Sequence, residues 1–321
     1  MDDTEGNNKY LTEKAIAYEP TKDEIKFYHK NNQKSLRYIF CGQELDSFEK
    51  EKLQGLKEYI NNEKLKEMEQ KKDSGSEDLV PETYETLFKG TVFDDDNYVL
   101  RFLQGLEYRN SELKRCQNRA KIESTNEFNY EKCYGDMVRH LEWRKENLPV
   151  NYDDVKDILN NGYIYVHGRD KQMHPIIVIN CKNFITANAK DVLKVAYYWM
   201  EFIISKLFIE GKIEQWRVII DLTSCGVLNI PLGTLKDISR CLSCNYRSRL
   251  SKMLVLSAPL FVSGMWHMLK SIIPVVTQQK ITITSSEIDK KLLDQVDLDQ
   301  LEKKFGGTCD NTSMFSEPIM P

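Results

Sequence analysis

WRVIIDLTSCGVLNIPLGTLKDISRCLSCNYRSRLSKMLVLSAPLFVSGMWHMLKSIIPVVTQQKITIT, residues 216–284, is the stretch whose reading decides the fold. It predicts a strand at Trp216–Asp221, a helix at Leu232–Tyr246, a strand at Lys252–Leu256, a second helix at Leu260–Ile273 and a strand at Lys280–Thr284. Each predicted strand is a short apolar, β-branched run bounded by turn or polar residues. The segments between have helical length, and a strand–helix–strand alternation builds crossovers between parallel strands. A largely parallel sheet follows.

The second helix is anomalous. LFVSGMWHMLKSII carries one full charge, Lys270. Phe261, Met265, Met268, Leu269 and Ile272 form one apolar face, and Val262, Trp266 and Ile273 make most of the remaining surface apolar as well. A helix covering a sheet needs one apolar stripe, so one that is apolar nearly all round has a second apolar neighbour. Two readings stand: a fully buried core helix, or a mobile cover over a lipid-sized cavity whose outer face meets a membrane when open. Met and aromatic side chains suit a surface that repacks.

Working outward, the 321 residues, 41% of them hydrophobic, fit a soluble chain of one large or two modest domains. The net charge of −4 is uneven: 20 Lys and Arg face 18 Asp and Glu from residue 151 onward, against 25 and 31 before it. Nothing in this balance favours nucleic acid. MDDTEGNNKY is acidic and polar, unlike a secretory signal, and Val195–Ile209 is interrupted by Glu201 and Lys206, too short a run to span a bilayer. The eight cysteines, at 41, 116, 133, 181, 225, 241, 244 and 309, are therefore expected to be reduced thiols in a cytosolic protein.

Residues 1–43 read as an irregular arm with a short helix near Glu24–His29. From Glu44, Leu45, Phe48, Leu53, Leu56 and Ile60 recur at helical spacing, up to a linker at KKDSGSEDLVPE. Asp94, Asp95 and Asp96 precede NYVLRFLQGL as caps rather than metal ligands, since carboxylates favour helix starts and no further ligand lies at matching spacing. A helix follows at Tyr130–Lys145; Asp153–Asn160 then leads into strands at Tyr163–His167 and Pro175–Cys181 around a polar turn, and a long helix at Ala189–Glu210. Short helices at Asp289–Val296 and Leu298–Lys304 end at Phe305-Gly306-Gly307, where glycine takes the left-handed conformation, and the last dozen residues read as a tail.

Catalytic signatures are missing. There is no GxxxxGK or GxGxxG phosphate loop, no HExxH and no GxSxG; the five histidines lack ligand spacing, and the CLSC at Cys241–Cys244 lacks two further zinc ligands. The balance shifts toward a binding protein whose working part is a cavity.

Several stretches together resemble a known family. DDDNYVLRFLQGLEYRNSEL at 94–113 is similar to the entry helix of the CRAL-TRIO N-terminal module, which ends in a Trp-Arg pair, here Trp143-Arg144. GRDKQMHPIIVIN at 168–180 resembles that family's turn and strand, WRVIIDLTSCG its central strand ending in Asp221, and NYRSRLSKMLVLSAPLFVSGMWHMLKSII followed by KFGG completes the order. The chain thus looks like a member of the CRAL-TRIO lipid-binding family, of the Sec-fourteen-like phosphatidylinositol transfer class. The resemblance implies an α/β fold in which a mixed, mostly parallel sheet floors a lipid pocket, preceded by an all-helical module. Its divisions would be an arm at 1–43, a helical module at 44–150, a lipid-binding domain at 151–309 and a tail at 310–321.

The same resemblance implies a function and a site. The protein would bind one phospholipid, phosphatidylinositol, and transfer it between membranes without catalysis or a cofactor, associating transiently with membrane surfaces from the cytoplasm. It would support phosphoinositide metabolism and trafficking, with a lipid kinase as a functional partner. Leu260–Ile273 would be the gate, with Phe261, Met265, Trp266, Met268, Leu269 and Ile272 as its contacts. Thr277 and Lys280 match the family's head-group pair, and Ser248, Arg249 and Lys252 match its basic stretch, although Ser248 replaces a Glu and Leu106 replaces a basic residue. Val166, Ile177, Tyr198, Met200, Phe202, Trp216, Val218, Ile220, Met253 and Val255 would line the pocket. Trp216 and Val218 stand where choline-lipid binders carry Ser and Thr, and Val166, Ile177 and Met200 where they carry tyrosines, so phosphatidylcholine binding is expected to be weak or absent. An apolar second ligand of sterol, retinoid or tocopherol type, or a lipid-regulated scaffold, is the alternative.

Overall fold

The computed structural model describes residues 9–28, 35–73, 80, 82–104, 129–184, 187–225, 232–259, 262, 266 and 275–321. The chain forms two compact units, one made of Met1–Ile39 with Asn147–Pro321 and one of Phe40–Glu146.

The smaller unit is helical. Its longest helix, Ser47–Asp73, runs for 27 residues and starts at a reciprocal cap in which the Glu49 N–H donates to Asp46 and the Asp46 N–H to Glu49. Leu53, Leu56 and Ile60 are buried with Val99, Phe102 and Leu103 of helical residues 96–104 and with Cys133 and Met137 of helix Tyr130–Asn147. Phe48 falls outside this stripe and stays exposed. Asp94 and Asp95 accept from the backbone N–H groups of Gly90 and Asn97, while Asp96 pairs with Lys57 at 2.7 Å.

The larger unit is built on a five-stranded sheet. After a two-stranded hairpin, β1 (Lys26–Tyr28) and β2 (Ser35–Arg37), come β3 (Ile164–Arg169), β4 (Pro175–Asn180), β5 (Trp216–Asp221), β6 (Leu250–Leu256) and β7 (Ile281–Ile283). The five pair in chain order. β3 and β4 are antiparallel, joined by a tight turn, and every later pair is parallel. Helix Ala189–Phe202 connects β4 to β5, and helix Leu232–Asn245 connects β5 to β6. The mostly parallel sheet read from β-branched runs is the observed one.

Register divides the sheet into two unlike faces. One lateral row runs Val166, Ile177, Val218, Met253, Ile281 across all five strands, and beside it run Ile164, Ile179, Ile220, Val255 and Ile283. The opposite face presents Tyr165, Val178, Ile219 and Leu254, sealed beneath Leu292, Val296, Leu301 and Phe305. Side chains alternate along a strand, so a one-residue slip would exchange the faces.

Some boundaries differ from the sequence reading. The helix expected to reach Glu210 is α-helical to Phe202, ends in a π-turn at Ile203–Leu207 and turns back at Gly211, whose N–H donates to the Glu214 carboxylate at 3.1 Å. Leu298–Lys304 is two 3-10 turns, Leu298–Gln300 and Lys303–Phe305, the second closed by left-handed Gly306. The stretch read as an irregular arm holds helices Glu13–Ile16 and Lys22–Ile25 as well as the β1–β2 hairpin. Instead of a helix to His29, the chain becomes extended at Lys26, after a capping box at Thr21 and Glu24.

Nor do the final residues hang free. The Gly168 N–H donates to Ile319 O at 2.7 Å and the Ile319 N–H to Val166 O at 3.1 Å, covering the outer edge of β3, where backbone groups would otherwise lack a strand partner. Gly168 is required here: its φ is +70°, and a Cβ would lie 2.1 Å from the Gln300 carbonyl oxygen.

Candidate functional site

The face carrying Val218 and Met253 collects the residues expected to line a pocket. Val166, Ile177, Val218, Ile220, Met253 and Val255 all lie in its two rows. Trp216, one step earlier on β5, pairs with Leu250, stacks on Phe208 at 5.8 Å and meets Tyr246 edge-on. From helix Ala189–Phe202, Met200 is buried while Tyr198 and Phe202 are half-buried. The fully buried Trp199 of this helix donates its indole N–H to Ile164 O at 2.9 Å, which anchors the helix to β3.

Exposure is graded across this face. Val166, Ile177 and Val218 are buried, whereas Ile220, Met253, Ile281 and Ile283 are half-buried despite being wholly apolar. The opposite face grades the other way, with Ile219, Leu254 and Leu256 closed off. A row of aliphatic side chains incompletely covered in the middle of a sheet is suited to acyl chains.

At the edge where β6 and β7 begin, the face ends in cations. The Lys280 ammonium donates to the Leu250 carbonyl and lies 5.2 Å from the ring centroid of Tyr38. Among the described residues it has no carboxylate partner. Burial, with a smaller contribution from the Lys252 charge, pushes its pKa down to about 8. Thr277, in helix Val275–Gln278, offers its carbonyl to the Lys280 N–H at 3.0 Å, so this turn fixes the pair's spacing.

The three other expected head-group residues have different surroundings. Arg249 is buried, donates to Glu214 O at 3.2 Å and lies over the Phe208 ring. Lys252 is exposed on β6 and shares a register position with Arg217, whose side chain turns toward the sealed face. Ser248 holds a φ of +60° and accepts at its carbonyl from the Gln215 amide, which also reaches Leu250 O. Lys280 and Thr277 thus share one turn, Lys252 belongs by alternation to the face of Leu254, and Arg249 and Ser248 shape the turn into β6. Of the stretch expected to be a gate, Val262 and Trp266 are helical, and Phe261, Met265, Met268, Leu269 and Ile272 lie outside the described residues, as does Leu106.

Sequence reasoning missed two groups. Tyr38 comes from the N-terminal segment, over two hundred positions before its lysine. The other group is Asp170 and Arg217, both buried and paired at 3.0 Å, with Arg217 also donating to Gln295 at 2.8 Å. Burial opposes ionisation of Asp170, but His174 and Arg217 hold its pKa down to about 2. The Asp in GRDKQMHP could have flagged this pair, but only the sheet register supplies its partner. Among the described residues no set of three or more His, Cys, Asp and Glu is arranged to hold a metal ion, and no helix is long and apolar enough to cross a membrane.

Comparison with known proteins follows the same lines. The sequence pattern of the CRAL/TRIO domain matches residues 159–307, from the helix before β3 to the double glycine. The match covers just under half of the chain. Among relatives of the chain, a CRAL-TRIO domain-containing protein of Schizosaccharomyces pombe is 23% identical over 238 residues, 70% of this chain and 48% of that protein. The Sec14 cytosolic factor of the same yeast is 26% identical over 203 residues, 57% of this chain and 71% of that one. A phosphatidylinositol/phosphatidylcholine transfer protein of Arabidopsis thaliana is 22% identical over 240 residues, 67% of this chain and 40% of its length. The chain therefore spans about half the length of some relatives it matches. The crystal structure of Sfh5 superposes with a TM-score of 0.51 at 15% identity, covering 86% of this chain and 95% of that one, a likeness of fold.

Proposed function

We propose that the protein binds a single phospholipid, phosphatidylinositol, and carries it between membranes. Acyl chains would lie along the half-buried rows of the sheet, where each buried CH₂ is worth about 0.8 kcal/mol. The observation that carries the head-group assignment is Lys280: a partly buried ammonium at the end of an apolar face, with a carbonyl and an aromatic ring for company and no counter-ion among the described residues. A phosphodiester supplies the missing negative charge and accepts the remaining N–H donors. Thr277, in the same turn, adds to the polar rim. The Sec14 and transfer-protein names of the relatives support lipid exchange as the activity.

Residues 260–273 are, on this reading, the gate that opens at a membrane surface, with Trp266 among its contacts. Release of phosphatidylinositol to a lipid kinase, from a cytoplasmic protein that touches membranes transiently, would follow. Trp216 and Val218, which carry no hydroxyl, favour poor choline-lipid binding.

Extraction of the purified protein and mass spectrometry of the bound lipid tests the proposal. Phosphatidylinositol is expected, in reduced amount from Lys280→Ala. Recovery of a sterol, retinoid or tocopherol from both proteins would contradict it.

A further inference from the structure

We infer that Tyr38, from the N-terminal segment and outside the residues that match the CRAL/TRIO domain, is a head-group contact that acts together with Lys280. The inference rests on the phosphatidylinositol reading above and assigns a second residue to the same site.

The segment is tied down along its length. Tyr10 meets Phe202 edge-on at 5.2 Å, Glu19 pairs with Lys212, and Glu24 accepts from the Gln172 amide at 2.6 Å. The hairpin then leads into Tyr38, whose backbone N–H donates to Ile25 O at 2.9 Å, with buried Leu36, Arg37 and Ile39 on either side. Tyr38 is thus presented by a fixed backbone.

Two features single it out. Its ring faces the Lys280 ammonium at 5.2 Å, a cation–π contact that holds a desolvated charge in place without neutralising it. Its hydroxyl has no hydrogen-bond partner among the described residues, although the side chain is half-buried. Burial raises the phenol's pKa, so it stays a protonated donor. A neutral O–H donor and a cation, both lacking an acceptor of negative charge and side by side at the mouth of an apolar face, match a phosphodiester bearing a polyol. A carboxylate on Tyr38's side would have closed the pair internally. With an aromatic alcohol the ring keeps the lysine aimed and the hydroxyl stays available.

The test compares Tyr38→Phe, Tyr38→Ala and Lys280→Ala with wild type in transfer from phosphatidylcholine vesicles with and without phosphatidylinositol. Tyr38→Phe keeps the ring and lacks the donor, so phosphatidylinositol transfer is expected to fall about tenfold with the melting temperature unchanged; Tyr38→Ala should fall further. Loss of transfer in Lys280→Ala with wild-type transfer in Tyr38→Phe would overturn this inference and leave the lysine assignment standing. Wild-type transfer in Lys280→Ala would overturn the underlying reading. Tight binding of soluble inositol 1-phosphate, abolished in both variants while lipid transfer persists, would reassign the pair to a free phosphate and overturn the inference.

Discussion

The two faces of the sheet are made from the same strands and nearly the same residue types, yet they are finished differently. Val218, Ile220, Met253 and Val255 alternate along β5 and β6 with Ile219, Asp221, Leu254 and Leu256. On the second set, the C-terminal segments bring Leu292, Val296, Leu301 and Phe305 into contact and add a buried polar network, in which Tyr165 donates to Glu302 at 2.8 Å and the Thr312 N–H to the other Glu302 oxygen at 2.7 Å. On the first set, Val218 and Val255 are buried but Ile220 and Met253, with Ile281 and Ile283 of β7, remain half-buried. The contrast is a division of labour: one face holds the fold together, and on the other the described side chains of Ile220, Met253, Ile281 and Ile283 keep apolar surface, which the proposed function assigns to a lipid.

The strongest way to break the comparison is to attack the sealed side. Asp170→Ala leaves the Arg217 guanidinium buried without its carboxylate, which costs about 3–5 kcal/mol. Denaturant titration should show that loss, and a change under about 1 kcal/mol would mean that the buried pair does not support this face. Acid titration of the wild type gives the matching pH test. Because the folded pKa is about 2, below the ordinary 3.8, the stability from Asp170 is complete above the ordinary value and should be lost as pH falls through about 2.

Neighbouring residues of one strand sharpen the contrast. Leu254→Ala, on the sealed face, should cost about 2–5 kcal/mol in unfolding free energy. Met253→Ala, on the half-buried face, should cost well under half of that and instead slow lipid transfer. Equal destabilisation by the two would erase the distinction between the faces.

How much of this was legible beforehand follows from the range of the interactions. β3 to β6 could be read because each is a continuous β-branched run, and alternation puts Val218 and Ile220 on one face wherever the strand lies, although their place in a pocket was implied only by the family resemblance. Lys280 was readable only through the family resemblance, since a lysine in a loop is chemically ordinary until its neighbours are known. Tyr38 and the Asp170–Arg217 pair were not readable: their partners are set by register and docking between segments far apart in the chain. The β1–β2 hairpin was missed because KFY and SLR are three-residue strands with polar ends, held by tertiary contacts more than by their own propensity.

Smaller effects are expected at the cationic rim. Lys280→Ala should lower phosphatidylinositol affinity by about 1.5–3 kcal/mol, the value of hydrogen bonds to a charged group. An unaltered affinity would remove the lysine from the site. The pH dependence has a definite sign. With a folded pKa of about 8 against 10.5 in the unfolded chain, the unfolded state holds more protons between those values, so the lipid-free protein should gain stability as pH rises through that window. Phosphatidylinositol affinity should fall over the same range as the ammonium is neutralised. Flat profiles for both would contradict the assignment.

The most direct measurement is photo-crosslinking with phosphatidylinositol carrying a diazirine in its acyl chain, followed by peptide mapping of the labelled residues. Labels are expected on Ile220, Met253, Ile281 or Ile283, the half-buried side chains of this face. Labels on Ile219, Leu254 or Leu256 would place the lipid on the sealed face and contradict the division of the sheet.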